Sequence, residues 1–159
     1  MMKIKVFSIV ICIILLASCS NAVYAENNII KQNSIENDDM INERKDIMLK
    51  IDEIEVEVDW ENNESVEELK KLAKNGIIIQ THRYGGFEQV GEIGQSIVSN
   101  NIQMITEPGD IVLYAGSNIV VFYGSNSWSY TKLGKIKNKT NEELKNMLSK
   151  NNVILKFIY

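Results

Sequence analysis

One stretch carries most of this chain's options for chemistry. It is "HRYGGFEQVGEIGQS", His82 to Ser96, which holds the only histidine and four of the glycines. A glycine-rich loop can cradle a phosphate when its backbone amides meet the anion at a helix N-terminus. A P-loop needs G-x-x-x-x-G-K-[ST]; Gly86 and Gly91 have the first interval, but Glu92 stands where lysine belongs. The dinucleotide fingerprint G-x-G-x-x-G is met only in its last interval, by Gly91 and Gly94. Glu88 and Glu92 would also repel a phosphate. The glycines are therefore read as turns and bulges between strands, and no cofactor is expected.

The remaining reactive side chains are few. His82 alone could act as a general base, yet no serine sits in a G-x-S-x-G nucleophile motif, and a plain strand residue is the simpler reading. The two cysteines, Cys12 and Cys19, both lie near the N-terminus, so the rest of the chain has no disulfide, thiolate metal site or cysteine nucleophile. A single histidine also excludes a histidine-rich zinc site. Nine acids fall between Asp52 and Glu68, but without the D-x-[DN]-x-[DN]-G order of a calcium loop. They read as the wet face of a strand. The net charge of −4 argues against nucleic acid as a partner. No catalytic or metal-ligating residue is assigned.

Aromatic residues offer another option. Tyr84, Phe87, Tyr123, Trp128 and Tyr130 cluster around the glycine-rich stretch and the strands expected beside it. In a small barrel such residues are commonly core. If the barrel mouth is open, Tyr84, Phe87, Trp128 and Tyr130 would form a platform for a peptide or small ligand, with Arg83 and Glu88 at its rim.

The elements that must position these residues are legible along the chain, whose 159 residues suit one domain. Lys3 and Lys5 precede an apolar run, Val6 to Leu16, too short for a stable membrane span; the pattern is that of a secretory signal. Residues 20–46 are polar and asparagine-rich, and read as a flexible tether. Alternation then begins: Ile54, Val56 and Val58 are expected on one face and Glu55, Glu57 and Asp59 on the other, with Asp52-Glu53 as a hairpin turn. Ser65 and Glu68 form a capping box that opens a helix with Val66, Leu69, Leu72 and Ala73 on its buried face. Asn75-Gly76 ends that helix, and "IIIQTHRY" follows as a strand.

Glu107-Pro108-Gly109-Asp110 is a turn, and "DIVLYAGSNIVVFYG" gives two apolar strands joined at Gly116-Ser117 in a type II′ turn. Their nearly continuous apolar character implies the buried centre of a sheet. "SWSYTKLGKI" is a further strand. Thr140 and Glu143 cap a second helix, whose inner face is Leu144, Met147 and Leu148, and "NVILKFIY" closes the chain as a strand. No internal repeat is apparent. Many strands, two short helices and no βαβ rhythm give a mainly β fold, a small closed barrel.

Two resemblances sharpen this reading. "LASC", Leu16 to Cys19, resembles the lipobox of bacterial lipoproteins, in which cleavage leaves the cysteine N-terminal and its thiol carries a diacylglycerol. It implies a signal peptide over 1–19 and a lipid anchor at Cys19 on the extracytoplasmic face of the cell membrane. The alternative is ordinary cleavage after Val23-Tyr24-Ala25, which would release a secreted protein. Further on, "YGGFEQVGEIGQS" and "TEPGDIVLYAGSNIVVFYGSNSWSYTKLGKI" resemble the cyclophilin-like family of small bacterial barrel proteins. The resemblance covers 47–159 and implies an eight-stranded barrel whose ends are closed by helices. Arg83 departs from the family pattern, standing where an acidic residue is expected.

Cyclophilins proper carry an F-H-R-type motif and a Q-G-G-D-type segment; Thr81-His82-Arg83 matches two letters of the first, and the second is absent. The expectation is a monomeric, lipid-anchored, non-catalytic barrel that binds a peptide or small molecule. The alternatives are a weak peptidyl-prolyl isomerase acting on exported chains, or an accessory module for an exported, flavodoxin-like redox protein. The address is tested by Cys19→Ala, which should move the protein from the membrane to the soluble fraction of fractionated cells; unchanged membrane retention would contradict the lipid anchor.

Overall fold

The computed structural model describes residues 46–159, so the expected signal peptide and all but the last residue of the tether lie outside the described residues. The alternating segment forms β1 (Met48–Ile51), β2 (Ile54–Val56) and β3 (Val58–Trp60), and is followed by α1 (Glu64–Ala73). Six strands come next: β4 (Ile77–Tyr84), β5 (Glu88–Glu92), β6 (Ile102–Ile105), β7 (Asp110–Tyr114), β8 (Asn118–Phe122) and β9 (Ser127–Ile136). The chain ends with α2 (Asn141–Leu148) and β10 (Asn152–Ile158).

Every strand pairing is antiparallel, in the order β2-β1-β10-β4-β5-β8-β7-β9-β3, and β6 pairs with β9 beside this path. The two edge strands, β2 and β3, are consecutive in the chain and separated only by Glu57. The ribbon is thereby carried from one edge to the other, giving a nearly closed barrel that hides most of its edges. The Glu57 carbonyl accepts from the Lys137 amide at 2.7 Å, and the Trp60 indole donates to the Ile47 carbonyl at 2.8 Å. Nine strands line the path where about eight were expected, because the alternating segment breaks at Glu57 and serves both edges.

The alternation sorts side chains to two sides of the wall. Leu49, Ile79, Ile111, Leu113, Val121, Leu155 and Phe157 form the main core, joined by Val66, Leu69 and Ala73 from α1 and by Leu144 and Leu148 from α2. A second cluster, on the other side of the sheet, consists of Val112, Val120, Phe122 and Tyr130, with Phe87, Val90 and Met104 packed around it. Strands β7 and β8 are therefore buried on both faces, which is what their continuous apolar runs imply. A bulge lets β9 bend: Ile111 pairs with Gly134 and Val112 with Lys132, leaving Leu133 unpaired in this ladder and fully buried.

Local chemistry explains most boundaries. Asp52 has φ of 52° in the β1–β2 hairpin, Gly76 has φ of 71° just past α1, and Gly109 has φ of 91° in the Glu107–Asp110 turn. Thr140 and Glu143 make the reciprocal capping box at α2, with hydrogen bonds of 3.2 and 2.7 Å. Gln89 locks the C-terminal end of α2 to β5: fully buried, it donates to the Leu148 and Lys150 carbonyls at 2.7 Å each and accepts from Thr81 Oγ1 at 2.8 Å.

Three expectations are corrected. Asn63, not Ser65, caps α1, accepting from the Val66 amide at 3.0 Å. Ser65 and Glu68 instead clamp another segment: Ser65 Oγ donates to the Val98 carbonyl at 2.7 Å, and Glu68 accepts from the Val98 amide at 2.6 Å. The β7–β8 turn is centred on Ala115-Gly116, with φ of 52° and 75°, so it has the positive angles of type I′ rather than II′. Ile54 is exposed, because at the edge next to the hairpin turn it extends beyond the cover of the core.

Gly91 is required where β5 crosses the core: a Cβ there would lie 2.5 Å from Ile79 Cγ2 and 3.0 Å from the Gln80 carbonyl. Gly91→Ala should cost about 1–3 kcal/mol by overpacking. The measurement is the urea midpoint of the purified protein; an unchanged midpoint would contradict the close approach.

Candidate functional site

The glycine-rich stretch forms a hairpin, not an anion cradle. Gly85 and Gly86 have φ of 57° and 75°, and the Phe87 amide donates to the Tyr84 carbonyl at 3.4 Å, closing the β4–β5 turn. Gly91 lies within β5, and Gly94 sits in an irregular segment that opens no helix. The β7–β8 hairpin repeats the design: Tyr114 and Asn118 are paired across a three-residue loop, as Tyr84 and Glu88 are. "YGGFE" and "YAGSN" are thus two copies of one turn.

Both turns present their first and fifth residues to the same concavity, of about 510 Å³. Tyr84 and Glu88 come from one hairpin, Tyr114 and Asn118 from the other. Between them lie His82, Val90 and Val120, and β9 with the loop before it closes the site with Trp128, Tyr130 and Asn126. The concavity is a groove on the outer wall, over the second cluster, and not a mouth of the barrel. Tyr130 is fixed as its floor: its ring meets Phe122 edge-on at 5.6 Å and Tyr114 at 6.0 Å, and its hydroxyl accepts from Asn126 Nδ2 at 3.0 Å. Tyr84 and Trp128 stay largely exposed, at 62% and 56%.

Of the residues singled out from the sequence, Tyr84, Glu88, Trp128 and Tyr130 line this groove together. Phe87 lies beneath it, stacked on Phe122 with centroids 6.5 Å apart, and the absence of side chains at Gly85 and Gly124 makes room for its ring. Arg83 faces away. In the β4–β5 register it stands opposite Gln89, on the other side of the strand from His82 and Tyr84, and its guanidinium donates to the Ser149 carbonyl at 3.3 Å. Tyr123 also faces the main core, with its hydroxyl buried and unpartnered among the described residues. His82, Val90, Tyr114, Asn118, Val120 and Asn126 were not singled out as site residues; the repeated Y-[GA]-G-x-[EN] pattern is the signal that could have found Tyr114 and Asn118.

Glu88 is the chemical centre of the groove. It is 5% exposed, and its Oε2 has no hydrogen-bond partner among the described residues. Burial disfavours the charged form and pushes the carboxyl from 4.5 up to about 7. The same burial raises the Tyr130 phenol, and the Glu88 charge adds to the effect. Among the described residues, no group of three or more His, Cys, Asp or Glu side chains is placed to hold a metal ion.

The profile of the cyclophilin-like family matches residues 49–157. No curated protein matches the chain. Among solved structures, McbB in complex with tryptophan superposes with a TM-score of 0.50 at 12% identity, covering 70% of this chain and 44% of that one. A hypothetical protein from Archaeoglobus fulgidus, solved in solution, superposes with a TM-score of 0.50 at 17% identity, covering 70% of this chain and 92% of that one. This chain therefore spans less than half of McbB. At these identities the likeness is one of fold alone.

Between pH 4.5 and about 7 the folded protein keeps a proton on Glu88 that the unfolded chain releases. The contribution of Glu88 to stability is therefore fully present below this window and is lost as pH rises through it, about 3 kcal/mol from the two values. Glu88→Gln should abolish that fall and be the more stable protein at pH ~8. Urea midpoints of both proteins across the window measure it; parallel profiles would contradict the unpartnered burial.

Proposed function

The chain belongs to the cyclophilin-like family, and from that premise we propose that it is a non-catalytic binding protein whose outer-wall groove holds a small molecule or a peptide segment. Tyr84 and Trp128 expose large ring surfaces in one concavity, and Tyr114, packed edge-on against Tyr130, adds a third partly exposed ring to it. Exposed apolar surface gathered in one place, with a few polar groups converging on it, is the usual signature of a binding site. The single observation that carries the reading is the Glu88 carboxyl, which lines the groove and whose Oε2 is buried with no partner among the described residues. A protein gains nothing in stability from such an atom, whereas a ligand can satisfy it.

Lipidation at Cys19 would place the groove on the extracytoplasmic side, with residues 20–46 as the spacer. The isomerase alternative has less support. Its proposed catalyst, Arg83, bonds the Ser149 carbonyl on the face of β4 opposite the groove, so it has no route to a ligand seated against Trp128. Nothing in the groove favours the redox-partner alternative.

Replacing Trp60 by Phe leaves Trp128 as the only tryptophan and therefore the only indole reporter. In that protein, apolar peptides and small aromatic molecules should quench Trp128 fluorescence saturably, and Tyr130→Ala should weaken the response at least about tenfold by removing the floor. Quenching that stays linear with added ligand would contradict a site. A proline-isomerisation assay should show no difference between the parent and Arg83→Ala; a loss confined to the variant would restore the enzyme reading.

A further inference from the structure

The groove's polar chemistry narrows what it accepts. A buried carboxylate is costly unless a cation or hydrogen-bond donors meet it. None of the described residues lining the groove is Lys or Arg, so no strong base of the fold meets Glu88 there. The surrounding surface is aromatic: Tyr84, Tyr114, Trp128 and Tyr130 all line the same concavity as Glu88. Ring faces attract cations through their quadrupoles, most strongly when water is excluded. An anion would face the Glu88 carboxylate, and a neutral apolar guest would leave Oε2 unpartnered.

We propose that the groove takes a small organic ammonium ion, its charge held by the Glu88 carboxylate and its carbon frame by the surrounding rings. This rests on the groove being a ligand site. Its volume, about 510 Å³, falls in the range of small-molecule pockets rather than extended peptide channels. The walls are suited to a fixed guest, because Tyr130 is held by Phe122, Tyr114 and Asn126 before any ligand arrives.

Other titratable groups bear on the same carboxylate. His82 and Tyr84 line the groove from β4, Tyr114 from β7 and Tyr130 from β9. The Tyr123 hydroxyl, just beyond β8, is also influenced by the Glu88 charge. Protonation of His82 would oppose a cationic guest, as protonation of Glu88 would weaken its hold. A Glu88 variant is therefore needed to isolate the carboxylate.

The test uses the full chain carrying Trp60→Phe, with benzylammonium, benzyl alcohol and benzoate as probes and Trp128 fluorescence as readout. Benzylammonium should bind at least tenfold more tightly than either of the others at pH 8. Because the probe stays protonated throughout, its affinity should rise severalfold as pH climbs through about 7. Glu88→Gln, which keeps the side chain's shape, should remove the tenfold preference by weakening benzylammonium binding.

Equal binding of all three probes would overturn the cation assignment yet leave the groove as a site. Binding of none would overturn the assignment and the site together. An N-acetylated, C-amidated Ala-Lys-Ala peptide that binds more than tenfold tighter than benzylammonium would overturn the small-molecule assignment. Failure of Glu88→Gln to fold would leave the wild-type preference and its pH profile as the deciding readouts, and a flat wild-type profile would overturn the role given to Glu88.

Discussion

Strand β5 lies between β4 and β8 in a register that decides what each side of the wall can be. Glu88 pairs with Tyr84 and Phe122, and Val90 with His82 and Val120, so these residues lie on the groove side of the wall, Phe122 buried beneath the groove. Gln89 and Gly91 face the interior. Because strand side chains alternate with a period of two, a slip of one residue would drive Glu88 into the core and expel Gln89. Three features pin the register. Gln89 is held by hydrogen bonds to Thr81, Leu148 and Lys150. Gly91 fits where Ile79 leaves no space for a Cβ. The Gly85-Gly86 turn fixes the hairpin at one end.

The two faces carry opposite energetics. The inner face is apolar apart from Gln89, which is fully hydrogen-bonded, and the Tyr123 hydroxyl, which has no partner among the described residues; both helices add apolar surface to the same cluster. On the outer face the aromatic cluster ends at a carboxyl group that burial makes hard to ionise. Elsewhere the fold pairs its buried acid: Asp110, 2% exposed, accepts from Lys132 Nζ at 2.8 Å and from the Glu107 amide at 2.9 Å. The contrast between Asp110 and Glu88 is informative, since both lie on the same sheet and, among the described residues, only Asp110 has a cation.

The fold was largely legible because its signals are local. Thr140 with Glu143, Asn75-Gly76 and the Pro108-Gly109 turn each act within a few residues, and each appears where the pattern placed it; period-two alternation holds along the strands but fails at Ile54 on the sheet edge. Ser65 and Glu68 also have capping-box spacing, but their partner is Val98, some thirty residues on, and tertiary pairing displaced the cap to Asn63. The groove was only half legible. Tyr84, Glu88, Trp128 and Tyr130 were found through their types, whereas Tyr114 reaches the site only because β8 brings the second hairpin beside the first. Arg83 could have been set aside by parity alone: it lies between His82 and Tyr84, which share the other face. What the sequence could not convey is that Glu88 ends up without a partner, since that depends on how every neighbouring strand closes around it.

The groove's chemistry depends on Glu88 being buried with no partner among the described residues in the free protein. The most direct measurement is the carboxyl chemical shift of Glu88, followed by carbon NMR as the ligand-free protein is titrated. A midpoint near 7 is the expected result. A midpoint at the ordinary value of 4.5 would mean that the carboxylate is solvated or already paired, and would contradict the groove described above.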